Sequence, residues 1–187
     1  MAIHRYTAVL DACVLYPAPL RDLLLSLAAA GIYQARWTGV IQDEWIRKLS
    51  ANRPDLRFEA LMRTAKLMNT AIKDSVIENF EHLIDTLNLP DQNDRHVLAA
   101  AIASQATVIV TFNTKDFPGA CGVPAMHPDD FIATQYSLDP QATITAIGTL
   151  RQRLQNPPKT AHQLIATYER QGLPKVCDIL RKSIGQF

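Results

Sequence analysis

Cysteine is scarce in this chain of 187 residues, and Cys13, Cys121 and Cys177 are odd in number and far apart. That spacing builds neither a disulfide framework nor a zinc pattern, so three buried free thiols in a reducing cytoplasm are expected. No apolar run approaches the roughly 20 residues that a membrane-spanning helix needs. Met1 to Leu10 holds His4 and Arg5 but no apolar leader core and no cleavage signal, so no exported segment is expected. Internal repeats and low-complexity stretches are also missing. Net charge is nearly absent at +1, which argues against a uniformly basic or acidic coat.

What is present suits a folded domain. The chain is 48% hydrophobic and 20% charged, ordinary values for a protein that buries a real core. The small net charge hides an asymmetry. Residues 137–187 carry seven Lys and Arg against three Asp and Glu, a net +4, which leaves residues 1–136 at −3. A basic tail on an acidic body fits a polyanionic substrate or an acidic partner, and a merely solvated helical surface fits equally well.

Tyr6 to Leu10 reads as a short buried strand ending at Asp11, and Thr107 to Phe112 as a continuous β-branched strand of the central parallel type. Tyr33 to Trp37 is a candidate second strand. Helices are expected near 18–30, 40–51, 55–72 and 91–105, with one more in 76–89. Alternating strands and helices imply a parallel sheet covered on both faces. Beyond Pro128 the pattern is wholly helical, near 128–136, 140–156, 160–171 and 174–184, with breaks at Asp139-Pro140, Pro157-Pro158 and Gly172-Leu173-Pro174. We therefore expect a body over 1–136 and a helical C-terminal extension over 137–187.

Four carboxylates stand out. Asp11 interrupts an apolar run at a strand's carboxyl end, where parallel α/β sheets bind ligands. A turn or N-cap role fits it less well, because Pro17 sets the next recognisable helix start six residues on. Asp116 follows the second clear strand and reaches the same sheet edge, although a polar loop accounts for it equally. Asp94 lines up with Val97 and Leu98 on the buried stripe of its helix, while Asp91 is a cap or a secondary ligand. Glu44 flanks the stripe of Ile41, Trp45 and Leu49, and an i, i+4 pair with Lys48 is its plain explanation. Two carboxylates about 4 Å apart repel by roughly 4 kcal/mol at an effective dielectric near 20, so a gathered set calls for protonation or a cation. All-oxygen donors select hard ions, which favours Mg2+ or Mn2+. His96, His127 and His162 are isolated in sequence and read as core or surface residues.

Val9-Leu10-Asp11, Glu44 within Gln42-Asp43-Glu44-Trp45, the run Asp91 to Ala101, and Val110 to Phe117 together resemble the PIN-domain ribonucleases over about residues 5–132. The acid opening an alanine-rich helix, followed by a strand into Thr111-Phe112-Asn113-Thr114-Lys115-Asp116-Phe117, carries most of the resemblance. It implies a three-layer α/β/α sandwich with a central parallel sheet, plus a helical extension like that of a longer subgroup. It also implies Mg2+- or Mn2+-dependent endoribonuclease activity, with Asp11, Glu44, Asp94 and Asp116 as catalytic and metal-binding residues. The same resemblance implies a VapC-like toxin of a type II toxin–antitoxin pair, with an RNA substrate, an antitoxin partner and a homodimer as defaults. Asn113 stands where many relatives carry another Asp, which leaves Asn113 and Thr111 to orient ligands or water. Arg47, Lys48, Arg95 and Lys115 are candidates to hold the RNA backbone. A non-catalytic RNA- or protein-binding module on the same fold is the competing class. A dehalogenase-like phosphatase is disfavoured, because Cys13 occupies the position where a second Asp is needed.

Overall fold

The computed structural model describes residues 6–119 and 122–187, so Cys121 and the segment with His4 and Arg5 lie outside the described residues. A four-stranded parallel sheet flanked by helices forms the centre, ordered β2-β1-β3-β4, with β1 at Thr7–Leu10, β2 at Gln34–Arg36, β3 at Val108–Val110 and β4 at Ala125–Met126. Ala8, Val9 and Leu10 and all of β3 are fully buried, as a parallel sheet covered on both faces requires. β1 runs beside β3 with Leu10 opposite Val110, and the Asp11 N–H donates to the Val110 carbonyl at 3.1 Å.

Helices α1 (Ala12–Leu15), α2 (Ala18–Ala29), α3 (Gly39–Asn52), α4 (Phe58–Ala71), α5 (Glu81–Ile84) and α6 (Arg95–Ala103) complete the body. Thr38 caps α3 by accepting from the Ile41 N–H at 3.1 Å, and Ile41, Trp45 and Leu49 are buried, as their spacing predicts. Gly31 closes α2 with a φ of 75°, a conformation glycine adopts without strain. The helix expected within 76–89 shrinks to the single turn α5. Although Ile77, Phe80, Ile84 and Leu87 repeat at helical spacing, Val76 pairs with Trp37 in a β-bridge and Asn79 takes a left-handed φ of 60°, which breaks the helix before Phe80. The expected helix over 91–105 starts as a 3-10 turn, Gln92–Asp94, before α6. Ala125–Met126 forms a strand that its two residues are too short to announce; β3 recruits it by pairing, Ile109 with Ala125 and Val110 with Met126.

The C-terminal helices α7 (Pro128–Leu138), α8 (Pro140–Arg153), α9 (Ala161–Glu169) and α10 (Pro174–Lys182) match the expected positions. Their apolar residues join the core of the body: α2 packs on α8 and α9, and α7 packs on α8 and α10. Among the described residues no helix is long and apolar enough to cross a membrane. One buried acid fastens the last helix. Asp129, 4% exposed on α7, accepts from the N–H groups of Lys175 at 3.0 Å and Val176 at 2.9 Å, in the first turn of α10. A carboxylate that serves two otherwise unpaired helix donors, with the helix dipole favouring its charge, is a strong tie.

Asp129→Ala should therefore cost about 2–4 kcal/mol in urea unfolding, against under about 1 kcal/mol for Asp130→Ala, whose carboxylate meets Lys175 at the exposed surface. Equal losses for the two variants would show that Asp129 does not fasten α10.

Candidate functional site

Parallel pairing of β1 with β3 brings together residues a hundred positions apart. Asp11 ends β1 and Thr111 follows β3, and the Thr111 hydroxyl donates to Asp11 Oδ2 at 2.7 Å. Thr111 is held in turn by accepting from the Asn113 N–H at 3.0 Å. The Cys13 thiol donates to the same Oδ2 at 3.1 Å and lies 3.3 Å from Thr111 Oγ1, while its sulfur accepts from the Phe112 N–H at 3.3 Å. Burial first, and then the charge of Asp11, push the Cys13 thiol up to about 12, so it keeps its proton at neutral pH. Asp11 is 5% exposed. These two donors make its burial tolerable, because an ionised carboxylate away from water needs partners. Among the described residues nothing donates to Oδ1, which leaves that oxygen available.

A helix does start immediately after Asp11, contrary to the sequence expectation, because α1 is a single turn that has no periodic signature. Asp11 occupies its N-cap position, yet its side chain makes no capping hydrogen bond. The carboxylate is committed to Thr111 and Cys13 instead. Asp91 and Asp94 divide in a similar way. Asp91 caps the 3-10 turn by accepting from the Asn93 N–H at 2.9 Å, whereas the Asp94 side chain caps nothing.

Asp94 is half-buried, and its carboxyl is pushed up to about 6. Burial is the main cause, followed by the negative charges of Asp11, Asp91 and Asp116, with His96 pulling the other way. The fold thus brings Asp11, Asp91 and Asp116 within electrostatic reach of Asp94. Asp116 sits in a 3-10 turn, Thr114–Asp116, that follows β3.

Glu44 approaches the same helix as Asp94 by a route absent from the sequence reading. Rather than pairing with Lys48, its Oε1 lies 3.0 Å from His96 Nε2, an inter-helix contact between α3 and α6. His96 is 8% exposed, and no protein group meets its Nδ1 among the described residues. Helical spacing places His96 two residues past Asp94, but only the α3–α6 packing shows which acid it meets. Lys48 instead stands 5.8 Å from the Tyr16 ring centroid, a cation–π contact. Among the other basic candidates, Arg47 faces Asp43 at 3.8 Å, Arg95 faces Asp85 at 3.9 Å and donates from Nε to the Gln92 carbonyl, and Lys115 is exposed next to Asp116.

Among the described residues no three His, Cys, Asp or Glu side chains close into a ready-made ion cage. The donor set still suits a hard divalent cation. It consists of carboxylate oxygens, one acid is driven toward its neutral form by burial and then by its neighbours' charges, and Asp11 keeps one oxygen unengaged.

The PIN-domain pattern matches residues 7–115, more than half of the chain. The chain belongs to the PIN-domain family. Asp11, Glu44 and Asp94 lie inside the matched span and Asp116 one residue past it. A second pattern, the VapC50 C-terminal domain, matches residues 128–182, which run from α7 to the end of α10. One curated relative, named "Putative ribonuclease VapC50", from Mycobacterium tuberculosis, is 45% identical over 76 residues, covering 38% of this chain and 45% of the relative. The aligned stretch thus spans less than half the length of that relative. No solved structure matches the chain.

The raised Asp94 value has a definite sign in stability. Its folded-state value lies above the ordinary 3.8, so the folded protein holds that proton more tightly than the unfolded chain. The stabilisation is complete below about pH 4 and is lost as pH rises through about 6, by roughly 1–2 kcal/mol after allowance for solvent screening at a half-buried group. In chelator, Asp94→Asn should exceed the parent in stability at pH 7.5, and that advantage should shrink as pH falls toward 4, read by urea unfolding across the range. A pH-independent difference would contradict this electrostatic account of Asp94.

Proposed function

We propose that the chain is a divalent-metal-dependent endoribonuclease, with Asp11, Glu44, Asp94 and Asp116 as metal ligands and catalytic residues and Asp91 as an auxiliary one. The observation that carries this reading is the convergence of acid charge on half-buried Asp94 at the carboxyl edge of a parallel sheet. Membership of the PIN-domain family and the name of the mycobacterial relative support it. Mg2+ or Mn2+ is the ion that oxygen donors favour. A cation held there supplies positive charge that polarises the phosphodiester and makes water a better nucleophile near neutral pH.

The protein's own groups have separate tasks in this scheme. Thr111 and Cys13 hold Oδ2 of Asp11, so that Oδ1 presents one lone-pair direction to the site. His96 holds Oε1 of Glu44 and thereby fixes the reach of a half-exposed side chain. Asp94, with a value near 6, is the acid best placed to exchange a proton near neutral pH when no cation is bound. Asn113 fixes Thr111 through its backbone rather than its side chain. Lys115, Arg95, Arg47 and Lys48 contribute phosphate contacts around the rim.

In the cell, this reading makes the chain a cytoplasmic, VapC-like toxin that cleaves RNA, dimerises, and is held inactive by a small antitoxin protein. Growth arrest on expression, relieved by co-expression of the small protein encoded beside it, tests that role. The biochemical test is direct. Asp94→Asn should lower Mg2+- or Mn2+-dependent cleavage of single-stranded RNA by at least about 100-fold, with the circular dichroism spectrum unchanged. Parent-level cleavage by the variant would refute the assignment. A parent that binds RNA but cuts none of it in either ion would indicate a binding module.

A further inference from the structure

The C-terminal helices carry a second cluster of charge, opposite in sign to the first. On α9 the buried hydroxyl of Thr167 is approached by two cations, Lys159 Nζ at 2.7 Å and Arg170 NH2 at 3.3 Å. A third, Arg151 at the end of α8, donates from NH1 to the Lys159 carbonyl at 3.3 Å, and its Nε is buried with no partner. Lys159 and Arg151 are half-buried and Arg170 is exposed. Among the described residues none of the three forms an ion pair with a carboxylate, whereas Lys175 and Arg181 of the same extension both do. Neutral acceptors alone therefore serve two positive charges that meet at one hydroxyl and a third held on the adjoining backbone, two of the three partly removed from water. Like charges gathered in this way repel, and an anion placed among them removes the repulsion.

The cluster also borders a recess of about 110 Å³ whose walls include Lys159, Thr167, Leu154 and, from α2, Ala18 and Pro19. Asp22 of α2, itself exposed, lines the same recess. Ala18 is seven residues from Asp11, and the intervening chain includes the helical turn of α1. At about 1.5 Å per helical residue and at most about 3.6 Å per extended one, the cluster's rim is within roughly 20 Å of the acids. A polyanion lying across the acidic site can reach it.

We propose that Lys159 and Arg170, which meet at Thr167, and Arg151, which holds the Lys159 carbonyl, form a backbone-phosphate site for single-stranded RNA, so that the C-terminal helices hold the strand whose neighbouring phosphodiester faces the acids. The site rests on the ribonuclease reading for its choice of ligand, but its test does not depend on cleavage. Binding of a labelled single-stranded RNA is measured by fluorescence anisotropy in chelator, over a series of salt concentrations. Two phosphate contacts removed in the double variant K159Q/R170Q should reduce the slope of log affinity against log salt by about 1.4. The variant R63Q/K66Q, with the same change of charge on exposed positions of α4, should leave the slope unchanged. An unaltered slope in K159Q/R170Q, or an equal reduction in both variants, would overturn the proposal. So would displacement of the RNA by inorganic phosphate at concentrations where unlabelled RNA competes equally, which would make this a site for a free anion. A parent that binds no RNA overturns it too, and the cleavage reading then stands or falls on Asp94→Asn alone.

Discussion

A carboxylate with 5% exposure survives at the end of a hydrophobic strand only if neighbouring groups replace the water it has lost, and at Asp11 those groups come from the next strand and the next turn. Thr111 meets Oδ2 because β1 and β3 run parallel with Leu10 opposite Val110. Slip that register by one residue and the hydroxyl would point to the other face of the sheet. The position of the first acid, the orientation of its open oxygen and the adjacency of Asp116 therefore all depend on one strand pairing. The sheet is small, but its register is over-determined by the fully buried side chains on both strands.

Around that fixed point the remaining acids arrive on separate elements, and local contacts decide which carboxylates are engaged and which stay free. Asp91 takes over the capping of its turn, which frees Asp94. Glu44 is held by His96 instead of pairing along its own helix. Cys13 is a quiet participant. Its thiol, too basic to ionise at neutral pH, acts as a small hydrogen-bond donor where a second carboxylate would have added repulsion. Acid charge is thus gathered around Asp94, a costly arrangement that a folded protein retains when a ligand offsets it.

The C-terminal helices stand in a different physical relation to the body. Apolar packing of α8 and α9 on α2, together with Asp129 gripping the first turn of α10, ties them into the same core. Two clusters of opposite charge thereby occupy one continuous framework, one built of acids and the other of bases that meet no carboxylate among the described residues.

The sequence by itself determined most elements and singled out the candidate acids. Apolar β-branched runs marked β1 and β3, the spacing of Ile41, Trp45 and Leu49 marked α3, and Asp-Pro and Pro-Pro breaks marked the C-terminal helices. Those signals are local, because the period of apolar residues reports which face of a segment is buried. They cannot report which distant side chain that face will meet. Only the tertiary structure decided that Glu44 meets His96, that Cys13 and Thr111 share an oxygen of Asp11, that Ala125–Met126 becomes a strand, and that Lys159 and Arg170 converge on Thr167. Apart from the short-range bonds of Cys13 to Asp11 and Arg170 to Thr167, each is a contact between segments whose separation along the chain carries no periodic trace, set by how the helices and strands packed.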